Sequence, residues 1–207
     1  GARMLDRAKT PRFNPLSGSG SIRLDRGLWR GKIAATDEKK AALGDVTFTH
    51  AMADGKGSAH IAAPHIVFVP DKLQPEALSP LLVAFRRAEG AANFTGDITW
   101  APGKIASNGH LSIASLDFLT PLGKAHTVKT ELDFISLLPP ATKPGQDLAI
   151  ARIDWTLPFS GLDVRFGFTP AAIRVDKVSS GFAEGHASLG AFTIDIASPK
   201  RIDGAAD

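Results

Sequence analysis

Residues 94–100 read Phe94-Thr95-Gly96-Asp97-Ile98-Thr99-Trp100, with Phe94, Ile98 and Trp100 interleaved by Thr95, Asp97 and Thr99. Side chains on a strand point to opposite faces with period two, so this stretch has one apolar and one polar face. The same alternation recurs downstream. Val128, Leu132 and Phe134 alternate with Lys129, Glu131 and Asp133, and Val164, Phe166 and Phe168 alternate with Asp163, Arg165 and Gly167. A chain built this way makes a surface. The fold class that follows is all-β, a long antiparallel sheet, and function is to be sought in its apolar face.

Upstream, residues 1–17 are basic, proline-bearing and aperiodic and read as a flexible lead-in. Strands follow at Ser19–Asp25, through Trp29, Ile33 and Ala35, at Leu43–Met52, and at Ser58–Val69 with an interruption at Pro64. Arg26-Gly27, Asp37–Lys40 and Asp54-Gly55 supply the turns. One segment breaks the pattern. Ser79 suits a helix N-cap and Pro80 the first helical position, and Leu78, Leu81, Leu82 and Phe85 share one helical face. A short amphipathic helix near residues 79–89 is therefore predicted, stopped by Gly90, lying over an apolar surface or closing the end of the sheet. Beyond it, Ala101-Pro102-Gly103 predicts a type II turn and Asn108-Gly109 a bulge. The proline-rich stretch Leu137–Gln146 predicts the one long loop. Further strands are expected at Asp147–Thr156, Leu157–Phe168, Ala172–Val178 and Phe182–Ala197. The implied organisation is a lead-in over 1–17, strands plus the short helix over 18–90, a further β-segment over 91–197 continuous with the preceding sheet, and a tail over 198–207. A pattern G-x-I-x-[LW]-x-x-G occurs at residues 20–27 and 96–103, as a duplicated hairpin would leave.

Composition narrows the function. The 207 residues carry a net charge of +3 with mixed signs and no basic block interleaved with aromatics, which argues against nucleic acid. There is no cysteine, so thiolate metal sites and Cys nucleophiles are excluded. No apolar run approaches the ~18 residues of a membrane-spanning helix. The N-terminus lacks signal-peptide character, Gly1 reads as a tag remnant, and the chain reads as a piece of a longer one. His50, His60, His65, His110, His126 and His186 form no metal-binding spacing. Glu131 and Asp133 are spaced like a catalytic carboxylate pair, but nothing around them separates their pKa values, so a solvated face is the better reading. Neither Gly18-Ser19-Gly20 nor Gly55-Lys56-Gly57 leads from a strand into a helix, so no phosphate cradle is implied. No catalytic residue, metal or cofactor is predicted.

The C-terminal half resembles a known family. Phe94–Trp100 with Gly109-His110-Leu111-Ser112-Ile113 is similar to the paired strands of bacterial YdbH-like proteins. So are Leu116–Gly123, Thr130–Phe134 and, above all, the Pro144-Gly145-Gln146 loop leading into Leu148-Ala149-Ile150. The resemblance covers residues 91–197. It implies a segment of an AsmA-like envelope protein of the TamB type. Such a protein has an inner-membrane anchor on the full-length chain and a periplasmic body curved into a taco-like groove whose apolar face carries phospholipid acyl chains toward the outer membrane. Its implied partners are those chains, other segments of the full-length protein and envelope membrane proteins. The family has also carried a dicarboxylate-transport label, which the absence of a clamping Arg or Lys cluster supports poorly.

The expected lipid-binding residues are Phe94, Ile98, Trp100, Leu111, Ile113, Val128, Leu132, Phe134, Ile153, Trp155, Val164, Phe166, Ile173 and Val175. Alternation alone does not distinguish a groove filled by ligand from a sandwich covered by protein. A scaffolding β-domain with a self-covered core, and behind it a small-anion carrier, therefore stand as alternatives.

Overall fold

The computed structural model describes residues 2–6, 11–121, 123–156, 159–182, 185–196 and 202–204. Its strands are β1 (Ala2–Met4), β2 (Leu16–Asp25), β3 (Leu28–Thr36), β4 (Ala42–Ala51), β5 (Gly57–Phe68), β6 (Arg86–Ala101), β7 (Lys104–Thr120), β8 (Gly123–Leu137), β9 (Pro140–Thr142), β10 (Gln146–Asp154), β11 (Phe159–Phe168), β12 (Ala172–Phe182), β13 (Gly185–Leu189), β14 (Phe192–Asp195) and β15 (Ile202–Gly204). They form one antiparallel sheet. The row β1 to β8, then β10, β11, β12, β14 and β15, holds thirteen strands, with β9 on β8 and β13 on β12. At ~4.8 Å per strand that row spans about 58 Å.

The groove comes from a crease. At one level, register shifts interrupt β5 between Ala63 and Ile66, β6 between Ala91 and Asn93, and β7 between Ile113 and Leu116. In β8 the crease continues at Thr127, whose φ is +52°. Each bulge bends its strand, and aligned bulges bend the sheet along a line perpendicular to the strands. The long strands β6, β7 and β8 (16, 17 and 15 residues) are thereby folded near their middles toward the apolar side. Pro64 sits on this line, where a ladder donor is dispensable.

The segment expected as a helix over Leu78–Glu89 is mostly something else. Helix α1 is only Pro75–Leu78, and a single 3-10 turn covers Pro80–Leu82. Ser79 does cap, its side chain accepting from the Leu81 amide at 3.1 Å. From Arg86 onward, however, the ladder with β7 takes the backbone, Arg86 pairing with Leu119 and Glu89 with Asp117. Elsewhere, Asn108-Gly109 forms no bulge, since both pair regularly with Asp97 and Gly96. The long loop contains β9, the stretch expected as one strand over 182–197 is divided into β13 and β14, and Ala2–Met4 and Ile202–Gly204 add edge strands. The two G-x-I-x-[LW]-x-x-G stretches occupy equivalent places. Each runs from the end of a strand into a two-residue hairpin with its last glycine at positive φ, +78° at Gly27 and +71° at Gly103.

The buried core lies on the folded-over margin, where Phe68, Leu73, Ala88, Ala92, Leu116, Phe118, Ala125, Val128, Ile150 and Ile153 cluster. The connection 69–85 covers this margin and Phe85 meets Phe118 edge-on at 5.0 Å. Gln74 clips it down. Its amide nitrogen donates to the carbonyls of Val69, Leu73 and Ala88, and its oxygen accepts from the Ala88 amide at 2.7 Å. At ~1 kcal/mol per net hydrogen bond, Gln74→Ala is expected to lower stability by about 2–3 kcal/mol, read by urea denaturation. A change below ~0.5 kcal/mol would mean the clip is incidental.

Candidate functional site

Cross-strand partners share a face, so the ladder assigns every residue to one side. Phe94 pairs with Leu111 and Leu111 with Leu132; Ile113 and Leu148 both pair with Thr130; Val128 pairs with Ile150; Leu148 pairs with Val164; Phe166 pairs with Val175; and Ile173 pairs with Phe168. All the candidate residues except Trp155 therefore lie on one face, which extends through Ile61, Val46, Ile33 and Ile22 toward β2. Trp155 lies just past β10 and is 51% exposed. Val128, Ile153 and Val175 are buried among neighbouring side chains. Leu111 and Ile113 pack against the core cluster. Phe94, Ile98, Trp100, Leu132, Phe134, Val164, Phe166 and Ile173 are only half-buried.

Outside the margin covered by the connection 69–85, no second sheet among the described residues lies over this face. The chain exposes 13174 Å², against about 9,300 Å² for a compact monomer of its mass. Among the described residues no large side chain is fully buried. Rings two strands apart nevertheless touch, Phe94 with Phe134 at 6.3 Å and Phe134 with Phe168 at 5.8 Å between centroids. Strands at that separation are ~9.6 Å apart, so the side chains converge across the strand between them, as a sheet curled toward this face requires. Glycines make room. Trp100 lies over Gly57 and Phe48 over Gly31, where a Cβ would collide with either ring.

The opposite face is polar and stitched by histidines. His60 meets Asp97 at 2.8 Å across β5 and β6. His110 sits between Glu131 at 2.8 Å and Asp133 at 2.9 Å. His126 bridges Asp117 at 3.0 Å and Asp154 at 2.8 Å. The carboxylates spaced like a catalytic pair are thus held by one imidazole on an exposed surface. The His110 pKa is raised above 6.5, first by its hydrogen bond to Asp133 and then by the Glu131 charge. Asp133 is lowered from 3.8 by Lys143 and His110, Asp117 by the Thr127 amide and His126, and Asp154 by His126.

A raised histidine stabilises the fold below 6.5 and loses that contribution as pH climbs through its folded value. The lowered carboxylates stabilise above 3.8 and lose theirs as pH falls through their folded values. Tm is therefore expected to peak between about pH 4 and 6.5. In His110→Asn the alkaline-side decline should flatten, and an unchanged profile between pH 6 and 9 would contradict the assignment.

A hollow of about 890 Å³ is also on this polar side, where Lys129, Glu131, Asp147, Asp163, Arg165 and Lys177 mix both signs. Sequence reasoning missed these cross-strand pairs because register, not spacing along the chain, creates them. The apolar face is by contrast a broad open trough, with no convergent catalytic groups on the half-buried residues named above.

Residues 5–202 match the model of the YdbH-like family, described as intermembrane phospholipid transport protein YdbH. The chain therefore belongs to the YdbH-like family, a lipid-transport family and not an enzyme family. The match extends over the N-terminal strands as well as residues 91–197. No curated protein and no solved structure matches the chain. No helix among the described residues is long and apolar enough to cross a membrane.

Proposed function

We propose that this YdbH-like chain, whose family performs intermembrane phospholipid transport, does so by seating phospholipid acyl chains on the apolar face of its creased sheet. The chain would act in the periplasm, as one stretch of a bridge between inner and outer membranes anchored in the inner one, in the manner of AsmA-like proteins. The observation that carries the reading is an apolar face, continuous across the single sheet, that no second sheet among the described residues covers outside the margin under the connection 69–85. Acyl chains need no hydrogen-bond partners, and burying ten methylenes contributes about 8 kcal/mol, so a smooth apolar trough suffices to hold them. Phe94, Ile98, Trp100, Leu132, Phe134, Val164, Phe166 and Ile173 contact the cargo, while Val128, Ile153 and Val175 form the floor beneath it. Other segments of the full-length chain and envelope membrane proteins continue the path at either end. The open face weighs against a scaffolding domain with a self-covered core.

A photo-crosslinking amino acid at position 134 should capture phospholipid, whereas the same group at position 131, on the polar face, should not. Equal capture from both faces, or none from 134, would contradict the proposal.

A further inference from the structure

The apolar face carries one row that is not purely apolar. Trp29 pairs with His50, His50 with Gly57, and Gly57 with Trp100. This is the last row before the Arg26-Gly27, Asp54-Gly55 and Pro102-Gly103 turns, and so forms one lip of the groove. Trp100 reaches across Gly57 to stack on His50, with 6.1 Å between ring centroids and planes 27° apart. Its Nε1–H donates to His50 Nδ1 at 3.1 Å. An indole nitrogen only donates, so Nδ1 must accept, and the imidazole proton is on Nε2. That Nε2–H meets no protein acceptor among the described residues. Other polar groups on this face are satisfied by the protein itself: Thr130 donates to the Asp147 carbonyl at 2.8 Å and Ser180 to that of Ser160 at 3.2 Å.

An unpartnered donor amid indole rings fits the zone of a glycerophospholipid where acyl chains give way to ester carbonyls. We propose that the Trp29–His50–Trp100 row sets the polar-end register of the groove, His50 Nε2–H donating to an ester carbonyl. The inference rests on the reading of the apolar face as a phospholipid site and specifies which end of the lipid lies at which lip.

The probe is dioleoyl phosphatidylethanolamine set against its di-ether analogue, which keeps chains and headgroup but lacks the carbonyls. Retention of each by the purified chain is read by native mass spectrometry. The wild-type chain should retain the diester about fivefold better, the factor one ordinary hydrogen bond gives. His50→Phe keeps a ring against Trp100 but removes the donor, and should retain both lipids at the level wild type shows for the ether. Equal retention by wild type, or an ester preference that survives in His50→Phe, would overturn the assignment while leaving the groove intact. Retention of neither lipid would overturn the groove reading and this inference with it. The wild-type comparison stands without the variant, so a folding defect in His50→Phe leaves the assignment open to refutation.

Discussion

Phe166→Asp is expected to strip the chain of bound phospholipid while leaving a folded sheet. Phe166 lies on the apolar face opposite Gln146 and Val175, half-buried and outside the buried cluster. In the unliganded protein a carboxylate there remains wet, and the cost is the lost packing of a partly exposed ring, about 1–2 kcal/mol. With acyl chains seated, the same carboxylate would have to give up water to hydrocarbon, a penalty of several kcal/mol that no neighbour offsets. Lipid retention should therefore fall by more than an order of magnitude, with urea unfolding still cooperative. Leu132→Asp, also half-buried and outside the cluster, should behave alike. Normal retention by both variants would mean that cargo does not touch this face.

Val128→Asp is expected to do the opposite and unfold the chain. Val128 is 2% exposed, opposite Leu116 and Ile150 on the folded-over margin. A carboxylate introduced there is desolvated between apolar cross-strand partners, and losing the valine removes packing in the cluster. The cost is at least about 3–5 kcal/mol, a large part of the stability of a domain this size. The far-ultraviolet β-signal and thermal transition should be lost. A folded Val128→Asp protein would show that the margin is not the core. The contrast between Val128 and Phe166, two apolar residues on one face, separates the part of the face that holds the protein together from the part left for cargo.

The strands and their faces were legible because alternation is a local signal. The run 94–100 assigns its own inward side, and the two hairpins carry Gly27 and Gly103 where the backbone needs a positive φ. The helix over Leu78–Glu89 was misread because Leu78, Leu81, Leu82 and Phe85 fall on a helical period by coincidence. Only the cap at Ser79 was a true local signal, and pairing of Arg86–Glu89 with β7 overrides the rest. The crease was invisible because a line of bulges is a property of adjacent strands, and of its members only Pro64 stands out in the sequence. The ladder puts the apolar candidates other than Trp155 on one side, but alternation could not separate buried Val128 from half-buried Phe166, since that depends on where the sheet folds over itself. His50 on the apolar face and the imidazole–carboxylate clamps on the other required register, which no single strand encodes.

The central claim is that the uncovered apolar face is a phospholipid site. Native mass spectrometry of the freshly purified wild-type chain beside Phe166→Asp tests it most directly, with organic extraction to identify anything bound. The account predicts at least one diacyl phospholipid per wild-type chain and a bare mass for the variant. A bare wild-type mass that stays bare after incubation with phospholipid vesicles would contradict it.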